Sequence, residues 1–287
     1  MNPQQLPFAL TRPAHVEHVK LVVSDLDVVS RYYETVIGLR VLEDGQHRRV
    51  LGVGEQALLT LVHEPQARRA PRNAAGLFHT AFLVPDRPAL AHWLAHAADL
   101  NLRLEGASDH LVSEALYLAD PEGNGIEIYR DRQPEEWQFN ADGTVQMATE
   151  RLDLRGLVAT APGERWNGMA EGTAIGHIHL QVGDLPQAES FYRDVMGLKV
   201  MARYPGASFF ATGGYHHHVA ANIWNSRNAL PRAEGMTGLA GYTLRFKDEE
   251  ALSTALAAAG AQHIAKAKAG AGHELRDPWG IAITLSS

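Results

Sequence analysis

The chain has no cysteine at all among its 287 residues, which excludes disulfides, thiolate metal ligands and cysteine nucleophiles and fits a reducing, cytoplasmic setting. Positive charge is also scarce. Lys and Arg total 26 against 33 Asp and Glu, a net charge of -7, and no basic stripe for a nucleic-acid partner is present. The nearest basic run, Arg68 to Arg72, is broken by Ala70 and Pro71 and reads as a solvated loop. No apolar run is long enough to span a membrane, and the opening MNPQQLPFALTRPAH lacks the basic start and apolar stretch of a signal peptide. Neither a glycine-rich phosphate loop nor a serine nucleophile elbow occurs, so phosphoryl and acyl transfer drop out. What remains is a hydrophobic content of 45%, enough for two domains with cores of their own.

A duplication organises that content. HVKLVVSDLDVVSRYYETVIGL from His18 returns as HIHLQVGDLPQAESFYRDVMGL from His177, with a constant offset of 159 residues. Each copy reads as a strand, a helix and further strands. Asp25 and Asp184 stand at N-cap positions, Pro186 in a first helical turn, and Gly38 and Gly197 where a left-handed residue stops the helix. Strands are expected at 40–43, 48–53 and 57–63, completing a βαβββ unit. A second unit opens at FHTAFLVPDRPALAHWLAHAA, where His79 precedes Asp86 by seven residues, as His18 precedes Asp25 and His177 precedes Asp184. A fourth starts near Leu239, with Gly241 at the histidine position. Units two and four close on DPEGNGIEIY and DPWGIAITLS, which sets Glu127 opposite Thr284. The expected organisation is an N-terminal domain over 14–131, a structured connector over 132–172 and a C-terminal domain over 173–287.

His18 and His79 on apolar strands, with Glu127 between Ile126 and Ile128, form a sparse set of two imidazoles and a carboxylate. Such a set suits divalent iron with open coordination positions. A carboxylate on a core strand is costly to bury unless it is paired or metal-bound, and strand alternation turns Glu127 away from its isoleucine neighbours.

Four βαβββ units with these closing turns resemble the vicinal oxygen chelate superfamily, which holds glyoxalase I, bleomycin-resistance proteins and type I extradiol dioxygenases. The runs HLVSEALYLADPEGNGIEIYRDR, GHIHLQVGDL and GGYHHHVAANIWNSRNA are most similar to its Bacillus-type catechol-2,3-dioxygenase branch. The resemblance implies an α+β fold in which paired modules form two incomplete β-barrels. It implies His18, His79 and Glu127 as metal ligands from units one and two, with Tyr117, His110 and His63 as catalytic residues. It further implies Fe(II), or Mn(II) with the same ligands, dioxygen as co-substrate, a small aromatic diol as substrate and a homo-oligomer. His177, His179, His216 and His218 remain as a possible secondary site without an acidic partner. Three other functions stay open: a glyoxalase-like isomerase or transferase, which wants a further carboxylate, a hydroquinone-cleaving dioxygenase, and a drug-binding resistance protein.

Overall fold

In the computed structural model, residues 6–261, 267–269 and 272–287 are described; MNPQQ at the start of the opening segment lies outside them. All four units are present. Unit one gives β1 (Ala14–Val23), α1 (Leu26–Tyr32), β2 (Arg40–Asp44), β3 (Arg48–Val53) and β4 (Gln56–His63). Unit two gives β5 (Gly76–Leu83), α2 (Arg87–Asp99), β6 (Gly106–Asp109), β7 (Ser113–Ala119) and β8 (Gly125–Asp131). The connector holds β9 (Glu150–Arg151) and α3 (Leu154–Val158). Unit three gives β10 (Ala174–Gln181), α4 (Leu185–Ser190), β11 (Lys199–Tyr204), β12 (Ala207–Ala211) and β13 (Val219–Asn222). Unit four gives β14 (Gly238–Phe246), α5 (Glu249–Ala261), β15 (Ala267–Ala269), β16 (Gly272–Arg276) and β17 (Ala282–Ser286).

The same local chemistry builds each unit. Asp25, Asp86, Asp184 and Asp248 each accept a hydrogen bond from the backbone N–H three residues on, capping the four helices. The first helix tightens into a π-type turn and stops at Gly38, whose φ of 89° is open to glycine but strained for other residues. In units two and four, Asp120 and Asp277 each hold two backbone N–H groups of the closing turn.

The pairing of units departs from the expected order. Strands of units one and four make one eight-stranded sheet, and those of units two and three, with β9, make a nine-stranded sheet. β1 pairs antiparallel with β14, and β10 with β5. Each half-barrel therefore combines an early and a late unit, and the division into domains over 14–131 and 173–287 does not correspond to the sheets. The larger of two apolar clusters joins them, carrying Val19 and Leu21 from β1, Ile178 and Leu180 from β10, and Trp93 from α2. Trp93 also donates its indole N–H to the Val36 carbonyl at 3.0 Å, tying the helices of units one and two together.

Candidate metal centre

On β10, alternation buries Ile178 and Leu180 in the core and turns His177, His179 and Gln181 into a cavity of about 1200 Å³. β5 brings His79 to the same cavity from the antiparallel side, and β8 brings Glu127 from the parallel side, where Ile126 and Ile128 face the core as alternation requires. The ligand atoms of His79, Glu127 and His177 lie within 4.8 Å of one another, and all three residues are buried. His18, expected as a ligand, is elsewhere. It sits on β1 in the other sheet, and its Nε2 lies 3.0 Å from the Thr60 hydroxyl. His177 takes its place because unit three, not unit one, is the neighbour of unit two.

Glu127 Oε2 lies 2.9 Å from His79 Nε2 and 3.2 Å from His177 Nε2. The His79 nitrogen is buried yet makes no hydrogen bond, because the ring is not aimed at that oxygen; His177 Nδ1 is also buried without a partner. Burial by itself would raise the Glu127 carboxyl, but the two imidazoles outweigh it and hold the carboxyl well below the usual range. Burial drives His177 down to about 4, against the pull of Glu127. The carboxylate is thus ionised beside a neutral imidazole. Its only ion-pairing partners among the described residues are the two histidines. An ionised carboxylate, a neutral imidazole and a ring nitrogen without a hydrogen bond, gathered within 4.8 Å, are the protonation states and spacing a divalent cation needs.

Around this trio the cavity wall is polar and aromatic. Tyr117 stands directly across the β7–β8 ladder from Glu127. The Ala148 carbonyl lies 2.7 Å from His110 Nδ1, so that nitrogen carries the proton, and Nε2 accepts from the Tyr117 hydroxyl at 2.7 Å. Burial and the Glu127 charge push the Tyr117 phenol well above its ordinary range, so it remains a donor. The connector segment 140–149 forms another side of the cavity. His63, at the end of β4, pairs with Val23 in the other sheet and does not line the cavity.

The histidine triplet has separate duties. His218 Nε2 lies 3.1 Å from the Ala9 carbonyl, and His216 Nε2 lies 2.8 Å from Asp131 Oδ1. His217 lines the cavity, with its ring centroid 4.1 Å from that of His177 and its Nδ1 2.7 Å from His216 Nδ1. His179 is held by Asn222 Nδ2 at 3.0 Å. Among the described residues, His179, His216 and His218 form no metal-ligand group of their own, and His177 belongs to the main cluster. His217 was no candidate by itself in the sequence, although GYHHHVAAN alternates into β13 in a way that aims the middle histidine inward.

This fold and this three-residue centre define a class. The sequence model of the Glyoxalase/Bleomycin resistance protein/Dioxygenase superfamily matches residues 15–128 and 174–285, and the chain belongs to that superfamily. Within it, the chain is 41% identical over 242 residues to the catechol-2,3-dioxygenase of Bacillus subtilis, covering 83% of this chain and 85% of that one. In three dimensions it is similar to a putative dioxygenase of the same species (TM-score 0.68, 13% identity, 95% of this chain and 84% of that one). Glyoxalase I of Zea mays is similar too (TM-score 0.57, 14% identity, 97% and 94% covered). At these identities the structural likenesses speak for the fold alone. Among the described residues, no helix is long and apolar enough to cross a membrane.

Proposed function

We propose that the chain is an extradiol ring-cleaving dioxygenase acting on catechol-type aromatic diols, with Fe(II) held by His79, Glu127 and His177. The observation that carries this reading is the convergence of two imidazoles and one ionised carboxylate on a cavity, in a chain 41% identical to a catechol-2,3-dioxygenase. Iron, when bound, supplies open coordination positions for a vicinal diol and dioxygen and the redox chemistry that joins them. Mn(II) accepts the same donors. A glyoxalase-like site wants a second carboxylate, and the cluster contains one.

The remaining steps belong to side chains. Asp131 accepts the proton-bearing Nε2 of His216, leaving His216 Nδ1 to accept from His217 Nδ1–H. This order leaves the lone pair of His217 Nε2 free on the cavity side, where it takes a phenolic proton from the entering diol. Tyr117, neutral and with its proton directed to His110, presents its oxygen lone pairs to a hydroxyl of the entering diol and so orients it. Burial of the trio excludes bulk water, which strengthens these interactions.

Oxygen consumption by anaerobically Fe(II)-loaded protein given catechol, with the appearance of a yellow ring-opened semialdehyde, tests the reading. Uptake with yellow product supports it. No oxygen uptake with any diol, iron being bound, would replace it with isomerase chemistry.

A further inference from the structure

The chemistry above uses neither Phe78 nor Trp224, yet both line the cavity beside the candidate ligands. Phe78 is adjacent to His79 in sequence, so a regular strand would turn one of them into the core. The ladder prevents this. His79 pairs with His179 and Leu77 with Leu180, leaving Phe78 as the extra residue of a β-bulge. A bulge re-aims a side chain at a local cost in pairing, and here it adds a phenyl ring to the wall that carries His79.

The added ring is part of a group. Phe78 meets His179 edge-on at 4.9 Å and Trp224 at 5.4 Å, and His179 lies 5.5 Å from Trp224. Trp224 is held in place by its indole N–H, which donates to the Pro205 carbonyl at 2.8 Å, but 46% of it remains exposed. Several polar groups nearby are already committed. His179 is bonded to Asn222, Gln181 reaches the Arg72 and Ala74 carbonyls, and Arg232 reaches those of Thr237 and Leu239. Three fixed aromatic faces, with the His179 Nδ1–H as the donor left over once Nε2 accepts from Asn222, favour a planar aromatic occupant. Space is not limiting, because the cavity of about 1200 Å³ exceeds the range of about 300–1000 Å³ that holds drug-sized ligands.

We propose that Phe78, His179 and Trp224 form a subsite for an aryl substituent on the diol ring, so that aryl-substituted catechols are preferred over catechol itself. This rests on the dioxygenase reading for its substrate core. The experiment compares specificity constants of the Fe(II)-loaded enzyme for catechol, 3- and 4-phenylcatechol and 3,4-dihydroxyphenylacetate. It adds calorimetric binding of catechol and 4-phenylcatechol to the metal-free protein without oxygen. The expected result is a preference of about tenfold or more for a phenylcatechol over catechol. Trp224→Ala lowers that ratio about tenfold, and Trp224→Phe preserves most of it. Equal constants for catechol and both phenylcatechols, a preference for the carboxylate-bearing diol, or a Trp224→Ala loss shared equally by all substrates would overturn the subsite. If no diol is consumed, the dioxygenase reading fails, and calorimetry alone decides the subsite. Tighter binding of 4-phenylcatechol by about tenfold sustains it, and equal affinity removes it.

Discussion

The two half-barrels are built alike and equipped differently. In one, β10 meets β5 with His177 opposite Ala81, and Ala81 lies beside Glu127 on β8. In the other, β1 meets β14 with His18 opposite Thr243, and Thr243 lies beside Thr284 on β17. His18 is thus the counterpart of His177, Gly241 of His79, and Thr284 of Glu127. Even the bulges recur, at Gly176 and Glu17 and at Phe78 and Ala240. What separates the candidate metal centre from the other barrel is two side chains, His79 and Glu127 in place of Gly241 and Thr284, on a shared frame. Without them, His18 in the barrel of units one and four is a half-buried imidazole beside the Thr60 hydroxyl.

The sharpest break in this comparison is Glu127→Gln set against Thr284→Val. Removing the carboxylate charge takes away the anion that holds the cation, and turnover should fall by at least about a thousandfold. Thr284→Val should leave turnover unchanged, as steady-state oxygen uptake will read. Next in size is His217→Ala, which removes the cavity-facing base and should lower kcat by about a hundredfold or more with iron content intact. Iron analysis beside the rate distinguishes this from ligand loss.

A packing contrast follows. A Cβ on Gly176 would lie 1.8 Å from the Tyr129 hydroxyl, so Gly176→Ala should cost about 1–3 kcal/mol in urea unfolding. Glu17→Ala at the equivalent bulge loses only an ion pair to Arg245 at the surface, about half a kcal/mol or less.

A pH effect comparable to that of Gly176→Ala lies in the barrel of units one and four. Burial first, and Lys20 second, lower His18 to about 4 from 6.5. The unfolded chain then takes up a proton that the folded chain refuses, so stability falls as pH drops from 6.5 to about 4 and levels off below that. With partial exposure discounted, about 2 kcal/mol is at stake. His18→Gln should flatten the fall by that amount in unfolding curves taken at pH 7 and pH 4.

The frame was largely legible in the chain. The seven-residue spacing from first-strand histidine to helix cap and the closing turns at Asp120 and Asp277 come from local chemistry that a sequence displays. Glu127 was legible too, because a carboxylate between two core isoleucines has few inexpensive explanations. The third member of the trio was not. His18 and His177 hold the same place in their repeats, and only the long-range pairing of units decides between them. The sequence did contain a hint, since unit four is blank at both Gly241 and Thr284, and any unit paired with it inherits an incomplete set. His63 failed for the same reason, standing at a strand end of the wrong barrel. The Phe78 bulge has no sequence signature, because an extra residue in a ladder shows only against its partner strand.

The most direct test of the central claim is the iron content of His177→Ala and His18→Ala after anaerobic loading and desalting. The account predicts one tightly held iron per chain in the wild type and in His18→Ala, and none in His177→Ala. Iron retained by His177→Ala and lost by His18→Ala would contradict it and return the centre to units one and two.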